Sequence, residues 1–388
     1  MKLEVDTSKH TAGIYIHIPF CKSKCVYCDF YSVPNRTNEI SSYITSLLNE
    51  IELFSRLNKT SWNFDTIYFG GGTPSLLKPI DIQMILTKLD TCFNLSKIKE
   101  ISIEVNPGEI SYNKLKDYYN LGINRLSIGC QSFDEKVLKF LRRIHSPLDS
   151  ITTYHLAREV GFSNISLDLI YNIPNQNIDD WQEDLETAVG IAPEHISAYA
   201  LTIEENTPLH TMIYKQKCVS KPPEDIGTEM FLLTHNYLEA NKYSGYEVSN
   251  FAKQNQECKH NLHYWNLDTY LGFGPSAHSY NGKKRWWNAN SLVEYRKMLQ
   301  TNQLPILASE ILSKSDKYNE AIMNGMRLKN GIQLDVLRNL SNHNFDELLK
   351  SSQNKWGNFL LIENNYLKLT QAGRLFTDEI SSELFVDK

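Results

Sequence analysis

The chain has no apolar run of the roughly 18 residues that a membrane-spanning helix needs. Basic residues are not in excess either: the formal net charge is −5, which argues against a protein that binds nucleic acid mainly through phosphate contacts. The first residues do not contain the apolar core of a secretory signal. Seven cysteines, an odd number, do not suit a disulfide framework. Together these absences predict a cytoplasmic protein without a transmembrane segment.

Three of the cysteines, Cys21, Cys25 and Cys28, lie within eight residues in the spacing C-x₃-C-x₂-C, directly after an apolar β-like run. Thiolates at such spacing can converge on an iron–sulfur cluster, which normally has four protein ligands. With three local ligands, one iron keeps an open position for a substrate or cofactor. Two alternatives are chance clustering of structural cysteines and a tetrahedral zinc site. Zinc would require a fourth ligand, and His17 lies upstream in the predicted strand.

Between residue 13 and about residue 205, short β-like runs alternate with amphipathic helical stretches. The strands are predicted at 14–19, 65–70, 100–106, 125–131, 164–170 and 195–202, and the helices at 39–57, 80–92, 112–121, 150–160 and 179–189. This alternation predicts an α/β fold with a parallel sheet and right-handed crossovers. Six units are too few for an eight-stranded barrel, so we predict a partial (β/α)6 barrel.

Three of these strands, at 100–106, 125–131 and 164–170, alternate apolar with polar residues rather than being apolar throughout. One face therefore packs under helices while the other lines a cavity. Polar residues and glycines come late in the strands or directly after them, where the active sites of β/α barrels lie. The candidates at this end are Cys21, Gly72, Thr73, Glu104 and Gln131.

Each candidate also has an ordinary structural explanation. A triple glycine often makes only a tight turn, and Glu104 alone could be a solvated carboxylate. Gln131 and Asp168 could belong to a hydrogen-bonded structural network. Arg143 could be a surface arginine, and the sequence does not separate it from Arg142.

The cysteine motif, with Tyr27 before its third cysteine, resembles the signature of the radical S-adenosylmethionine (SAM) superfamily. The longer stretch from Tyr15 to Phe30 resembles the oxygen-independent coproporphyrinogen III oxidase family and its HemW-like branch of haem chaperones. Matching motifs continue to about residue 200. The resemblance implies a [4Fe-4S] cluster on the three cysteines and a SAM molecule contacted by Tyr15, Tyr27, Gly72, Thr73, Glu104, Gln131, Arg143 and Asp168.

Two features resemble the haem-chaperone branch more than the oxidases. Phe30 occupies the position of a further cysteine that the oxidases need, and a phenyl ring neither donates a hydrogen atom nor ligates a metal. Because Cys21 lies close to Met1, we also expect no counterpart of the oxidases' N-terminal extension. The resemblance therefore implies a protein that binds haem and transfers it to an acceptor protein. The alternative is a radical SAM enzyme acting on a tetrapyrrole, and whether SAM is cleaved stays open.

The second half contains one cysteine, three histidines and several aromatic rings between residues 258 and 287. Such a composition suits a flat apolar cofactor with an axially ligated metal, such as haem, although an aromatic core with hydrogen-bonded histidines is the simpler alternative. The string from His260 to Trp265 resembles the H-N-x-x-Y-W motif of HemW-like proteins. His260 is the first candidate for an axial ligand, and His263 and Cys258 are the alternatives. We expect residues 272–275 to close over the barrel mouth.

We predict three domains along the chain. Residues 1–215 form the partial barrel, residues 216–315 form the aromatic and histidine-rich accessory region, and residues 316–388 form a small winged-helix-like domain. Winged helices often bind DNA, but fold alone does not carry function. Because Lys and Arg are not concentrated in the last segment, we predict packing or partner binding there.

Overall fold

The computed structural model describes residues 11–58, 62–341 and 345–387. The predicted lack of a secretory signal concerns the first ten residues, which lie outside the described residues. In the described part of the chain the strands are β1 (Ala12–Ile18), β2 (Phe20–Cys21), β3 (Val33–Pro34), β4 (Phe64–Gly71), β5 (Glu100–Val105), β6 (Arg125–Gln131), β7 (Ile165–Tyr171), β8 (His195–Ala200), β9 (Ser244–Gly245), β10 (Asn250–Ala252), β11 (Thr269–Phe273), β12 (His278–Tyr280), β13 (Lys284–Asn288), β14 (Ile306–Ile311), β15 (Ile332–Gln333), β16 (Leu360–Glu363) and β17 (Tyr366–Leu369).

The same part of the chain also forms α-helices. They are α1 (Ile40–Leu57), α2 (Pro79–Cys92), α3 (Tyr112–Asn120), α4 (Glu135–Phe140), α5 (Pro147–Val160), α6 (Ile178–Ile191), α7 (Pro208–His210), α8 (Glu224–Ala240), α9 (Lys259–Trp265), α10 (Leu292–Gln300), α11 (Lys314–Gly325), α12 (Leu334–Leu340), α13 (Phe345–Trp356) and α14 (Thr377–Glu383). None of these described helices is both long and apolar enough to cross a membrane.

The six predicted strands are neighbours in one sheet, in the order β1-β4-β5-β6-β7-β8, and every pairing among them is parallel. Helices α1, α2, α3, α5 and α6 lie in the connections, as right-handed crossovers require. Their ends follow local rules. For example, α5 begins with the reciprocal capping pair Ser146 and Asp149 and ends at Gly161, whose φ is +118°. The α/β partial barrel predicted from the sequence is confirmed.

The second half extends this sheet at both edges. Strand β11 pairs in parallel with β1, and β12, β13 and β14 follow in antiparallel order; β10 and β9 extend the other edge beyond β8. These additions were not predicted because the strands are short and carry little alternation.

The expectation that residues 272–275 cover the barrel mouth was wrong. Gly272 and Phe273 are buried in β11. A Cβ on Gly272 would lie 2.2 Å from the carbonyl oxygen of His278, so this glycine permits a close approach of neighbouring strands.

The C-terminal part has its own hydrophobic core, which includes Tyr318, Ile322, Leu337 and Leu367. Helices α11 to α14 surround a three-stranded sheet in the order β15-β17-β16, as a winged-helix-like domain would have. The guanidinium of Arg285 on β13 donates to both carboxylate oxygens of Glu320 on α11, at 2.8 and 2.9 Å. This contact joins the extended sheet to the C-terminal core. The exact domain limits stay a prediction.

Candidate cofactor-binding site

A cavity of about 560 Å³ lies inside the partial barrel. Its walls come from the parallel strands, the loop that carries the three cysteines, and helix α9. Nearly all of the predicted site residues line it: Tyr15, Cys21, Cys25, Tyr27, Cys28, Gly72, Thr73, Glu104, Gln131, Arg143, Asp168, Cys258 and His260. Part of its exposed rim, which we call the cavity mouth, is formed by Lys22, Ser23, Asp29, Phe30, Arg142 and Ile144, with the partly exposed Lys24 beside them; Tyr199, Ala200, Thr202 and Glu204 are exposed elsewhere on the rim. Residues far apart in sequence thus meet around one space.

The cysteine loop is closed by the pairing of β2 with β3, in which Cys21 lies opposite Pro34. The hydroxyl of Thr73 donates to Cys21 Sγ at 3.5 Å, and Arg143 Nη1 donates to Cys25 Sγ at 3.5 Å. Burial raises the pKa of the Cys28 thiol to about 11. Metal binding by such thiols would release protons, since the thiolate is the ligand.

The donor set fits an iron–sulfur cluster. Three thiols face one cavity and two of them receive hydrogen bonds that would stabilise thiolate charge. Within the described residues, no three potential ligands are close enough to hold a single metal ion. A [4Fe-4S] cluster does not require that convergence, because its thiolate ligands bind different irons.

The glycine run after β4 packs directly against the cysteine loop. A Cβ on Gly72 would lie 2.7 Å from the carbonyl oxygen of Phe20 and 3.0 Å from Cys21 Sγ. Gly71 has a φ of +114°, which disfavours residues with a side chain. The backbone after β4 approaches the cysteine loop so closely that glycine is required there. The triple glycine is therefore more than a tight turn.

Two carboxyl groups face the cavity from β5 and β7. Glu104 accepts hydrogen bonds from the Tyr68 hydroxyl at 3.0 Å and from the Gly71 N–H at 3.1 Å. Burial, and then the negative charge of Asp168, raise the pKa of Glu104 to about 8. Asp168 accepts from Ser127 at 2.7 Å and from Ser166, and burial raises its pKa as well. Carboxyl groups in such a site suit a ligand that brings hydroxyl groups or positive charge.

The structure separates the two adjacent arginines that the sequence could not distinguish. Arg142 is exposed at the cavity mouth, whereas Arg143 is partly buried in the cavity wall. Arg143 Nη2 donates to the Gly129 carbonyl at 2.8 Å and to the side chain of Asn106. Its Nε is buried without a hydrogen-bond partner among the described residues. An unsatisfied guanidinium N–H in a cavity wall is expected where a ligand supplies the acceptor.

Tyr15 is positioned by His17. The ring of His17 has Nε2 at 2.8 Å from the Tyr31 carbonyl oxygen, so Nε2 carries the proton and Nδ1 accepts from the Tyr15 hydroxyl at 3.1 Å. Burial lowers the pKa of His17 to about 4, which keeps the ring neutral. Both ring nitrogens are engaged, so this geometry does not favour His17 as the fourth ligand of a zinc site.

Helix α9, which carries the predicted haem ligands, lies at the amino ends of the parallel strands, opposite the cysteine loop. Its first backbone N–H groups, of Lys259 and His260, donate to Glu100 at the start of β5, both at 3.1 Å. The ring of His260 has Nδ1 at 2.8 Å from the Thr66 hydroxyl and Nε2 at 3.1 Å from the Tyr264 hydroxyl. His260 therefore forms the cavity floor, with both of its nitrogens hydrogen-bonded.

His263 is placed differently. Its Nε2 lies 2.8 Å from Asp65 and its Nδ1 lies 3.0 Å from Asp268. Burial alone would lower the pKa of His263, but the hydrogen bonds and charges of these two carboxylates raise it to about 9. His263 is not among the cavity-lining residues. A protonated ring held between two carboxylates is poorly suited to ligating iron.

The third candidate, Cys258, lines the cavity floor and is fully buried, and this burial raises the pKa of its thiol to about 12. Its Sγ lies 3.6 Å from Glu100. The exposed His278 lies elsewhere, on β12, and its ring stacks with Trp287 at 5.7 Å. The simpler expectation of hydrogen-bonded core histidines thus describes His263 well and His260 in part.

Comparison with known proteins identifies the family to which the chain belongs. Residues 15–188 match the radical SAM superfamily, and residues 312–376 match the HemN C-terminal domain. The chain is 32% identical to a protein named heme chaperone HemW from Bacillus subtilis, over 94% of this chain and 97% of the relative. It is 34% identical to a heme chaperone HemW from Buchnera aphidicola, over 97% of this chain and 98% of the relative.

The chain belongs to the HemW family of the radical SAM superfamily. A solved structure of coproporphyrinogen III oxidase (HemN) from Escherichia coli resembles it with a TM-score of 0.83, over 97% of this chain and 90% of that chain. Sequence identity in this comparison is 20%, so the likeness shows a shared fold. The sequence-based recognition is confirmed.

This HemW-family chain also has cavity residues that the sequence analysis did not identify. Tyr68, Asn106, Ser127 and His195 line the cavity beside the predicted ones. Tyr68 and Ser127 occupy polar-face positions of β4 and β6, and Asn106 follows β5. Their positions in or after the strands could have identified them, but these residue types do not by themselves indicate a binding site.

Proposed function

We propose that this protein is a haem carrier that binds haem and passes it to an acceptor protein, on a scaffold that holds a [4Fe-4S] cluster and SAM. The observation that carries the proposal is similarity over nearly the whole chain to proteins named heme chaperone. A second feature agrees with it: Phe30, which lies in the cysteine loop, exposes an apolar ring at the cavity mouth and offers no thiol.

The cluster would be held by Cys21, Cys25 and Cys28, and it would supply an iron with an open position for the amino and carboxylate groups of SAM. Thr73 and Arg143 donate hydrogen bonds to two of the thiol sulfurs and would stabilise their negative charge. Gly72 keeps the loop after β4 close to these sulfurs.

The remaining predicted contacts would bind the rest of SAM. Glu104 and Asp168 present carboxyl oxygens, and the Tyr15 hydroxyl, whose proton goes to His17, is left to accept from a ligand. Tyr27 and Gln131 complete the wall; Gln131 adopts a φ of +69° where the β6–β7 register shifts.

His260 is our candidate for an axial haem ligand. Its Nδ1 is bonded to Thr66, which would orient the ring in the way that ligating histidines usually need. Nε2 would then bind iron once the Tyr264 hydroxyl has moved away. Cys258 is the second candidate. His263 is the least favoured of the three, because both of its ring nitrogens contact carboxylates.

A radical SAM enzyme acting on a tetrapyrrole is the second candidate function. One observation favours it: the predicted SAM contacts are assembled in one cavity, which haem carriage alone does not need. Formation of a decarboxylated product from coproporphyrinogen, in the presence of SAM and an electron donor, would identify this activity. We expect no such product, because Phe30 cannot replace a thiol.

For the compartment we propose the cytoplasm, since cysteines that ligate a cluster must stay reduced. The seven cysteines are unpaired in the structure. The proposed partners are haem and a haem-accepting protein of unknown identity.

The direct test is an anaerobic absorption titration of the cluster-loaded, SAM-free protein with haem. We expect a saturable shift of the Soret band. Replacing His260 by Ala should weaken binding at least tenfold, because an axial ligand is lost, whereas replacing the exposed His278 by Ala should not change it. Absence of a shift in the unmodified protein would contradict haem carriage, and equal affinities of the two variants would remove His260 as the ligand.

A further inference from the structure

The cavity has room for one ligand of ordinary cofactor size. Its volume of about 560 Å³ lies within the range of roughly 300–1,000 Å³ typical of single-ligand pockets. The predicted SAM contact Tyr15 stacks on His260 with ring centroids 6.5 Å apart, and Tyr68, the partner of Glu104, stacks on His260 at 5.1 Å. Bound SAM and a haem on His260 would therefore compete for the same space.

The cavity mouth exposes two large apolar side chains from separate segments. Phe30 lies in the cysteine loop and is 65% exposed, and Ile144 lies between α4 and α5 and is 53% exposed. Both belong to the cavity lining. Leu148, four residues after Ile144, is 69% exposed at the start of α5. Exposed apolar side chains around an opening indicate a surface that receives an apolar ligand.

The same rim carries positive charge, although the whole chain has a net charge of −5. Lys22 is paired with Glu109 at 3.0 Å, and Lys24 Nζ donates to the Phe30 carbonyl at 3.3 Å. Arg142, two residues before Ile144, is exposed at the rim. Asp29 in the mouth and Glu204 elsewhere on the rim are the exposed acidic residues of the opening. An arginine guanidinium is well shaped to bind a carboxylate through two parallel hydrogen bonds.

We infer that haem lies at the cavity mouth when SAM fills the cavity, with the macrocycle against Phe30 and Ile144 and a propionate on Arg142. A flat apolar ring that carries two carboxylates matches two exposed apolar side chains beside a guanidinium. This inference rests on the proposed function. It adds a second haem position, on the SAM-loaded protein, that does not involve His260.

The test is an anaerobic haem titration of the cluster-loaded protein at saturating SAM. Phe30→Ser and Ile144→Ser should each weaken haem binding about tenfold, because each removes apolar area that the macrocycle covers. Ile80→Ser on α2 is the matched control, since Ile80 is 54% exposed and is not among the residues that line the cavity. It should bind haem like the unmodified protein.

The proposed contact between a haem propionate and Arg142 is tested separately. Arg142→Ser should weaken haem binding about threefold, the size expected for an exposed ion pair, and should not change the binding of the haem dimethyl ester. Cluster absorption of every variant shows whether the loop is intact. Ile144 and Arg142 lie outside the cysteine loop, so their variants remain informative if Phe30→Ser loses the cluster.

Two results would overturn the inference and leave the proposed function standing. One is haem binding that SAM abolishes, and the other is binding at saturating SAM that His260→Ala removes while the mouth variants bind normally. No haem binding with or without SAM would overturn the proposed function as well.

Discussion

The two ends of the barrel use polar side chains in opposite ways. At the carboxyl ends of the strands, Glu104, Asp168 and Arg143 face the cavity with capacity for further hydrogen bonds. At the amino ends, both ring nitrogens of His263 are occupied by contacts with the carboxylates of Asp65 and Asp268. Buried polar groups that satisfy one another stabilise a fold, whereas groups that face a cavity are available to a ligand.

Within one sheet, the polar residues at the amino ends therefore hold the fold together, whereas those at the carboxyl ends are available to bind a ligand. Helix α9 is fixed to the strands by Glu100, Thr66 and Asp65, which closes the barrel floor. The cysteine loop is held by the short β2–β3 pairing, by the glycine run, and by backbone hydrogen bonds between Val26 and both Leu141 and Leu209. We therefore expect substitutions at the floor to reduce stability, and substitutions near the mouth to reduce ligand binding.

The largest expected effect is on stability at the floor. His263→Gln should lower the free energy of unfolding by about 3 kcal/mol near pH 6, because it breaks a buried ion pair. The pKa of His263 is about 9 in the folded protein, above its ordinary value of about 6.5. Protonation thus favours the folded state below pH 6.5, and this contribution is lost as the pH rises towards 9.

Denaturant unfolding at several pH values measures this effect. The difference between the unmodified protein and His263→Gln should shrink from pH 6 to pH 9. His155→Gln, at an exposed position of α5, is the control and should show a difference near zero. A difference that grows with pH would contradict the buried ion pair.

A smaller effect, on ligand binding rather than on stability, is expected at Glu104. Glu104→Gln should weaken SAM binding about tenfold, because positively charged SAM would stabilise the carboxylate form of Glu104 and a neutral amide has no such form. Its raised pKa of about 8 means that the charged form is unfavourable in the folded protein. Stability from this group therefore falls as the pH rises from about 4.3 to 8, and the variant should be at least as stable as the unmodified protein at pH 8.

Equilibrium binding of SAM to the cluster-loaded protein, with parallel unfolding curves, checks both parts. Glu239→Gln, exposed on α8, serves as the control. Unchanged SAM affinity in Glu104→Gln would remove Glu104 from the site. A large loss of stability would assign it to the structural network instead.

The sequence predicted the regular part of the molecule because local signals and tertiary contacts agree there. The run at 125–131 alternates apolar and polar residues, and β6 has the same bounds, Arg125–Gln131. The cysteine spacing and the glycines identified one side of the cavity, because each of these residue types is demanded by a close approach or by metal chemistry.

Where sequence reasoning failed, long-range contacts decide the outcome. Arg142 and Arg143 are identical in type, and only the turn after α4 buries one of them. Strand β11 is stabilised by pairing with β1, more than 250 positions earlier, so its short segment carries little local signal. His263 belongs to a motif, yet its role follows from Asp65, which is remote in sequence.

The most direct test of the division between the two ends measures cluster absorption and unfolding on the same two variants. The first replaces Cys21, Cys25 and Cys28 by Ala, with the exposed Cys218→Ala as its control; the second is His263→Gln. We expect the cysteine variant to lose the brown chromophore while the apoprotein unfolds at nearly the same denaturant concentration as the cluster-free unmodified protein. We expect His263→Gln to keep the chromophore and to unfold earlier. A cysteine variant that retains the chromophore, or a His263 variant that loses it without loss of stability, would contradict the account.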